Sequence, residues 1–141
     1  MKARLPIVDT GPLVALLDST DRHHQWAVGI FSELRGPLLS CEAVLAEVLF
    51  LCGRNRLTAE PIHLLLERGT LRVAPVLADA PREIVRLLRQ YRSVPMSLAD
   101  GCILHLHETT ARSVVVTCDR DFGIYRRSRR RAVDALVPWG R

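Results

Sequence analysis

Apolar and polar positions alternate along the chain in a way that predicts short buried strands separated by helices. Leu5-Pro6-Ile7-Val8 is an apolar run ending at Asp9, which predicts a buried strand. Thr10-Gly11-Pro12 turns the chain into a helix expected over about Leu13–Asp18, with Pro12 in a first turn where its missing N–H costs nothing. A second helix is expected over about His23–Leu34. Gly36-Pro37 breaks the pattern, and Leu38-Leu39-Ser40 predicts a brief strand. Cys41–Cys52 is helical in period and closed by Gly53. Thr58 is expected to cap a helix through Arg68, closed by Gly69.

The second half repeats this alternation. Leu71–Val76 predicts a strand, and about Ala80–Arg92 a helix with arginines on its exposed face. Ser97–Glu108 predicts another helix. Ser113-Val114-Val115-Val116-Thr117 is the clearest buried strand, and Ala132–Val137 a weaker last one. Helices between strands, with the clearest strands continuously apolar, predict an α/β domain with a mainly parallel sheet. At 141 residues, 48% of them hydrophobic, residues 1–141 suit one domain with a sizeable core.

Cysteine and charge change the picture only locally. Cys41, Cys52, Cys102 and Cys118 form no C-x-x-C pair and sit beside apolar stretches, where free cysteine acts as a small hydrophobe. Met1-Lys2-Ala3-Arg4 runs straight into the first strand, and no apolar run approaches the roughly 20 residues that span a bilayer. The expectation is a reduced, cytoplasmic protein with no membrane partner. Arg126, Arg127, Arg129, Arg130 and Arg131 equal the whole formal net charge of +5, so this is a basic patch on an otherwise neutral chain. It suits RNA phosphates or an acidic protein, or is a solvated surface run.

Candidate chemistry lies in the acids. Ligands of open parallel α/β sheets bind beyond the carboxyl ends of the strands. Asp9 follows the first strand directly, and Asp119 and Asp121 follow Val114-Val115-Val116. If those strands are neighbours, the acids converge. Glu47 has Ala43, Val44, Phe50 and Leu51 as helical neighbours, and Asp100 has Met96, Ser97, Ile103 and Leu104. Neither acid has a cation on its own helix. Acids beside apolar surface need another partner, and a metal is one. Each acid also has a plainer reading. Asp9 suits a turn before Gly11, Ser97–Asp100 a capping box, Glu47 a solvent-facing position, and Asp119-Arg120-Asp121 a turn.

Four motifs in order resemble the PIN-domain family, and within it the VapC-type toxins of bacterial toxin–antitoxin pairs. They are Ile7-Val8-Asp9-Thr10-Gly11-Pro12-Leu13, Cys41-Glu42-Ala43-Val44-Leu45-Ala46-Glu47-Val48, Met96-Ser97-Leu98-Ala99-Asp100, and Val116-Thr117-Cys118-Asp119-Arg120-Asp121-Phe122. They span nearly the whole chain. One mild departure is Ser40, which precedes Cys41 where many members put Thr or Ser at the helix cap. The arginine run after Phe122 is also heavier than the resemblance requires.

The resemblance implies a three-layer α/β/α sandwich and a divalent-metal-dependent endoribonuclease. It makes Asp9, Glu47, Asp100 and Asp119 the catalytic acids, with Asp121 an additional acid and Thr10 and Thr117 hydroxyl residues beside the site. Mg²⁺ or Mn²⁺ takes oxygen ligands, so Asp9, Asp100, Asp119 and Asp121 are the expected metal ligands and Glu47 the group acting on water. Arg126 and Arg127 are expected to meet the RNA backbone together with Thr10 and Thr117. A small antitoxin partner and a homodimer also follow from the resemblance alone. Histidine looks peripheral, since His23, His24, His63, His105 and His107 show no zinc-like clustering. The rival reading is a non-catalytic RNA- or protein-binding module that uses the basic patch.

Overall fold

The computed structural model describes residues 4–140. Met1-Lys2-Ala3, read above as leading directly into the first strand, lies outside the described residues. Five strands form one sheet: β1 (Leu5–Val8), β2 (Leu38–Cys41), β3 (Leu71–Ala74), β4 (Ser113–Val116) and β5 (Ala135–Leu136). Their order is β3-β2-β1-β4-β5, and every pairing is parallel. Among the described residues seven α-helices accompany them: α1 (Thr10–Leu17), α2 (His24–Glu33), α3 (Glu42–Arg54), α4 (Glu60–Glu67), α5 (Val76–Asp79), α6 (Pro81–Gln90) and α7 (Leu98–Thr109). The layers are helices, sheet and helices, as the sequence predicts.

β1 is the central strand, and its sequence suits that place. Ile7 and Val8 are fully buried, as are Val115 and Val116 of the neighbouring β4. Pro6 is unusual in a central strand because it lacks an N–H to give the ladder. The backbone of Leu5 and of Asp9 donates towards β4, to Arg112 and Val116. With alternating direction, Pro6 therefore faces β2, which registers with β1 only at Ile7–Leu39. The missing donor falls on the side with the shorter register and leaves the β4 ladder intact.

α7 packs across β1, β2 and β4, and α6 and α5 pack on α7. α1 packs against α2 and α3. α7 is buried along most of its length, including Ile103 and Leu104, which explains why its sequence is apolar on several sides. α6 is the opposite case, with Ile84 and Leu87 inward and charged residues elsewhere.

Several boundaries differ from the periodicity. α1 begins at Thr10, so Pro12 is its third residue. α3 continues through Gly53 to Arg54, because Leu57 and Asn55 return their N–H groups to the last turn. Pro75 ends β3 at Ala74, and Val76 begins the short helix α5 instead of closing the strand. The last strand shrinks to two residues. Gly69 does close α4, at φ +71°, where a side chain would be strained. Thr58 accepts the Glu60 N–H at 3.2 Å, one residue before the boundary at Ala59.

Ile7 is buried in the middle strand of the sheet. Ile7→Ala is expected to cost about 2–5 kcal/mol by urea unfolding, through lost burial and a residual cavity. A loss under about 1 kcal/mol contradicts this placement of the core.

Candidate active site

The parallel register brings distant parts of the chain together. Val8 pairs with Val116, so the residues that follow them, Asp9 and Thr117, leave the same edge of the sheet side by side. The Thr117 hydroxyl donates to Asp9 Oδ2 at 2.7 Å. The same hydroxyl oxygen accepts the Asp119 N–H at 2.9 Å. Thr117 thus fixes one acid by its proton and the other by its lone pair. Asp119 Oδ1 then accepts the Asp121 N–H at 2.8 Å and opens a 3₁₀ turn over Arg120–Gly123.

Asp100 arrives from α7. Ser97 caps that helix by accepting the Asp100 N–H at 3.0 Å, and Asp100 Oδ2 accepts the Tyr125 hydroxyl at 2.7 Å. Tyr125 is fully buried, with edge-on contacts to Tyr91 at 5.0 Å and Phe122 at 5.1 Å. The plainer readings of these acids as cap and turn residues are therefore partly right. The cap and the turn are what aim the carboxylates.

Carboxylate oxygens of Asp9, Asp100 and Asp119 lie within 4.8 Å of one another. They line a cleft of about 500 Å³ together with Glu47, Asp121 and Arg120. Glu47 is exposed on α3 and accepts the Thr10 hydroxyl at 2.7 Å. Gly11 lines the same cleft, and a Cβ there would sit 3.0 Å from the Cys118 Cβ. A side chain there would require the loop after β4 to give by a few tenths of an ångström. Ser40, the residue before the α3 boundary, donates instead to the Val8 carbonyl at 2.8 Å and ties β2 to the end of β1.

Burial is the largest of the effects that raise the Asp9 carboxyl to about 7; the charges of Asp100 and Asp119 add to it, while the Thr117 hydroxyl and the Thr10 N–H oppose it. Burial also raises Asp100, opposed by the Tyr125 hydroxyl. Burial and the bond to Asp100 raise the Tyr125 phenol, which keeps it a donor.

A family model described as the PIN domain matches residues 7–128. The chain belongs to the PIN domain family. Among solved structures, it is similar to VapC20 of Mycobacterium tuberculosis, a toxin that cleaves the sarcin-ricin loop. That match has a TM-score of 0.73 and 21% identity over 84% of this chain and 93% of that one. At that identity the likeness speaks for the fold. No curated protein matches the chain.

Within this PIN domain, Asp9, Asp100 and Asp119 share one cluster, and Glu47, Asp121 and Thr10 line the same cleft. Thr117 lies beneath, fully buried. Arg126 and Arg127 are not brought to this cleft. The Arg126 guanidinium donates to the carbonyls of Gly123, Ile124 and Tyr125, and Arg127 pairs with Glu108 at 3.3 Å and Asp134 at 3.4 Å. Among the described residues no histidine joins the acids. His107 is buried against Ser113, a structural role. Sequence reasoning missed Tyr125, hidden beside the arginine run. It also missed Arg120, whose guanidinium stacks on Trp139 at 4.2 Å. Only the fold brings Trp139 to that rim.

Asp9 contributes a pH dependence to this site. Its pKa rises from 3.8 to about 7 on folding, so the folded state holds a proton that the unfolded chain has released. That contribution to stability is complete below about pH 4 and is lost as pH climbs through 7. In EDTA, the Tm advantage of Asp9→Asn over wild type is expected to widen from about pH 5 to about pH 8, because only wild type acquires the buried charge. A constant Tm difference contradicts it.

Proposed function

We propose that this PIN domain is a divalent-metal-dependent endoribonuclease, the VapC-type toxin of a toxin–antitoxin pair. The observation that carries the reading is the convergence of Asp9, Asp100 and Asp119, with ligand atoms within 4.8 Å of one another. A buried carboxylate next to two others is strained by repulsion and lost hydration, and a doubly charged cation relieves both. The donors are all carboxylate oxygens, which fits Mg²⁺ or Mn²⁺ better than softer metals. Asp9, Asp100 and Asp119 would hold the ion, and Asp121, which lines the same cleft outside that cluster, would reach it through water. When bound, such an ion lowers the pKa of water and offsets charge on a phosphodiester.

The chain's own residues divide the remaining work. Thr117 and Tyr125 hold the Asp9 and Asp100 carboxylates in place, each through a 2.7 Å hydrogen bond. Glu47, oriented by Thr10, takes the proton of the attacking water at its free oxygen. Arg120, braced on Trp139 at the rim of the cleft, meets the phosphate. The substrate class is RNA. The small antitoxin is the expected protein partner. The exposed Leu49 and Phe50 on α3, and Val28 on α2, are apolar side chains that a homodimer would cover.

Total RNA incubated with Mn²⁺ is expected to be cut by wild type and spared with EDTA. Asp9→Asn is expected to lose at least about 100-fold in rate, since even groups that merely support a ligand are worth about 10–100-fold. RNA binding without metal-dependent cleavage would favour the non-catalytic module. Equal cleavage by both proteins would trace the activity to a contaminant.

A further inference from the structure

The arginine-rich segment after Phe122 forms one wall of a second cleft, of about 460 Å³, whose other walls are α6 and α7. Several guanidinium groups around it are already engaged. Arg86 pairs with Glu83 at 3.1 Å, Arg127 with Glu108 and Asp134, and Arg131 with Glu108 at 3.7 Å, while Arg126 is held by backbone carbonyls. Arg82, Arg89, Arg129 and Arg130 are exposed and pair with no carboxylate among the described residues. Arg82 and Arg89 sit two turns apart on α6, about 10 Å along one face, and line a shallower pocket that shares Arg86 with the first. Arg129 and Arg130 stand opposite, both at φ 58°, a left-handed backbone that side-chain-bearing residues adopt at a cost.

We propose that this groove is a sequence-independent binding site for the phosphate backbone of RNA, separate from the acidic cleft and joined to it over Tyr125 and Arg126. The inference rests on the reading of RNA as substrate. Tyr125 touches Asp100 in the acidic cleft, and Arg126, the next residue, lines the arginine groove. Asp100 and the groove residues Leu104 and Glu108 lie four and eight positions apart on α7, roughly 6–12 Å along its axis. At about 3.4 Å per nucleotide of one strand, that is roughly two to four nucleotides from the reacting phosphodiester.

The chemistry favours nucleic acid over an acidic protein. Leu87 and Leu104 line the groove but are buried, and its five arginines (Arg86, Arg126, Arg127, Arg129 and Arg130) outnumber the two glutamates, Glu83 and Glu108, that line it. The planar fork of arginine matches phosphate oxygens. Among the described residues no Phe, Tyr or Trp lines either pocket and His105 supplies the one ring, so stacking platforms are few and the backbone is the main feature read.

The test measures equilibrium binding of a labelled 20-nucleotide RNA by fluorescence anisotropy, in an Asp9→Asn background with EDTA so that nothing is cut. Two double variants are compared with that parent: R82A/R89A, where alanine keeps the helix, and R129N/R130N, where asparagine tolerates the left-handed backbone. Each is expected to weaken binding at least about tenfold at 0.1 M salt and to flatten the slope of log K against log salt by about 1.4–1.8, the loss of two phosphate contacts. RNA sequence should not matter. Unchanged affinity and slope in both folded variants overturns the proposal, as does a parent that binds no RNA. Loss of binding to a labelled polyglutamate with RNA binding intact overturns it too, and assigns the groove to an acidic protein. Separately, wild type that binds RNA here but cuts none with Mn²⁺ defeats the nuclease reading and leaves the groove standing.

Discussion

Three carboxylates held together in a mostly dehydrated place define this molecule. Asp9 and Asp100 are buried, and Asp119 stands beside them. Left alone, such a group repels itself and loses hydration that hydrogen bonds only partly replace. The surrounding structure supplies that partial replacement from two sides. Thr117 comes from the end of β4 and Tyr125 from the turn that follows it, each giving one hydroxyl proton to one acid. The rest of the repulsion is an affinity for positive charge.

The fold exists at this site as a set of registers. β1 and β4 lie side by side with Val8 opposite Val116, so a four-residue match sets the separation of Asp9 from Thr117. The capped start of α7 delivers Asp100 to the same edge, and α7 is anchored by its packing on β1, β2 and β4. Gly11 allows α1 to close against Cys118. An error in any of these placements would separate carboxylates whose usefulness depends on a few ångströms. Core packing and site chemistry are therefore one problem here: the apolar residues of β1 and β4 set the distances between the acids.

Much of this was legible in the sequence. The placement of Asp9 directly after one apolar run and of Asp119 shortly after another puts both acids beyond strand ends, and the parallel sheet follows from alternating elements. What the sequence could not reveal falls into two kinds. Element boundaries moved where a proline or a returning N–H intervened, as at Pro75 and Leu57. Partners brought together by tertiary packing were invisible. Tyr125 lies 25 residues from Asp100, in a stretch whose dominant signal is charge, and Arg120 meets Trp139 only in the folded chain. In the sequence alone the arginine run is one basic patch. Folded, its members separate into guanidinium groups that brace the structure, such as Arg127, and others that face solvent across a second cleft, such as Arg129.

The most direct measurement is a crystal structure of the protein grown with Mn²⁺, read by anomalous diffraction at the manganese edge. A peak bounded by the carboxylates of Asp9, Asp100 and Asp119, at oxygen distances of roughly 2.0–2.4 Å, is the predicted result. Manganese absent from that position at saturating concentration, or bound elsewhere while the three acids stay together, would contradict the account.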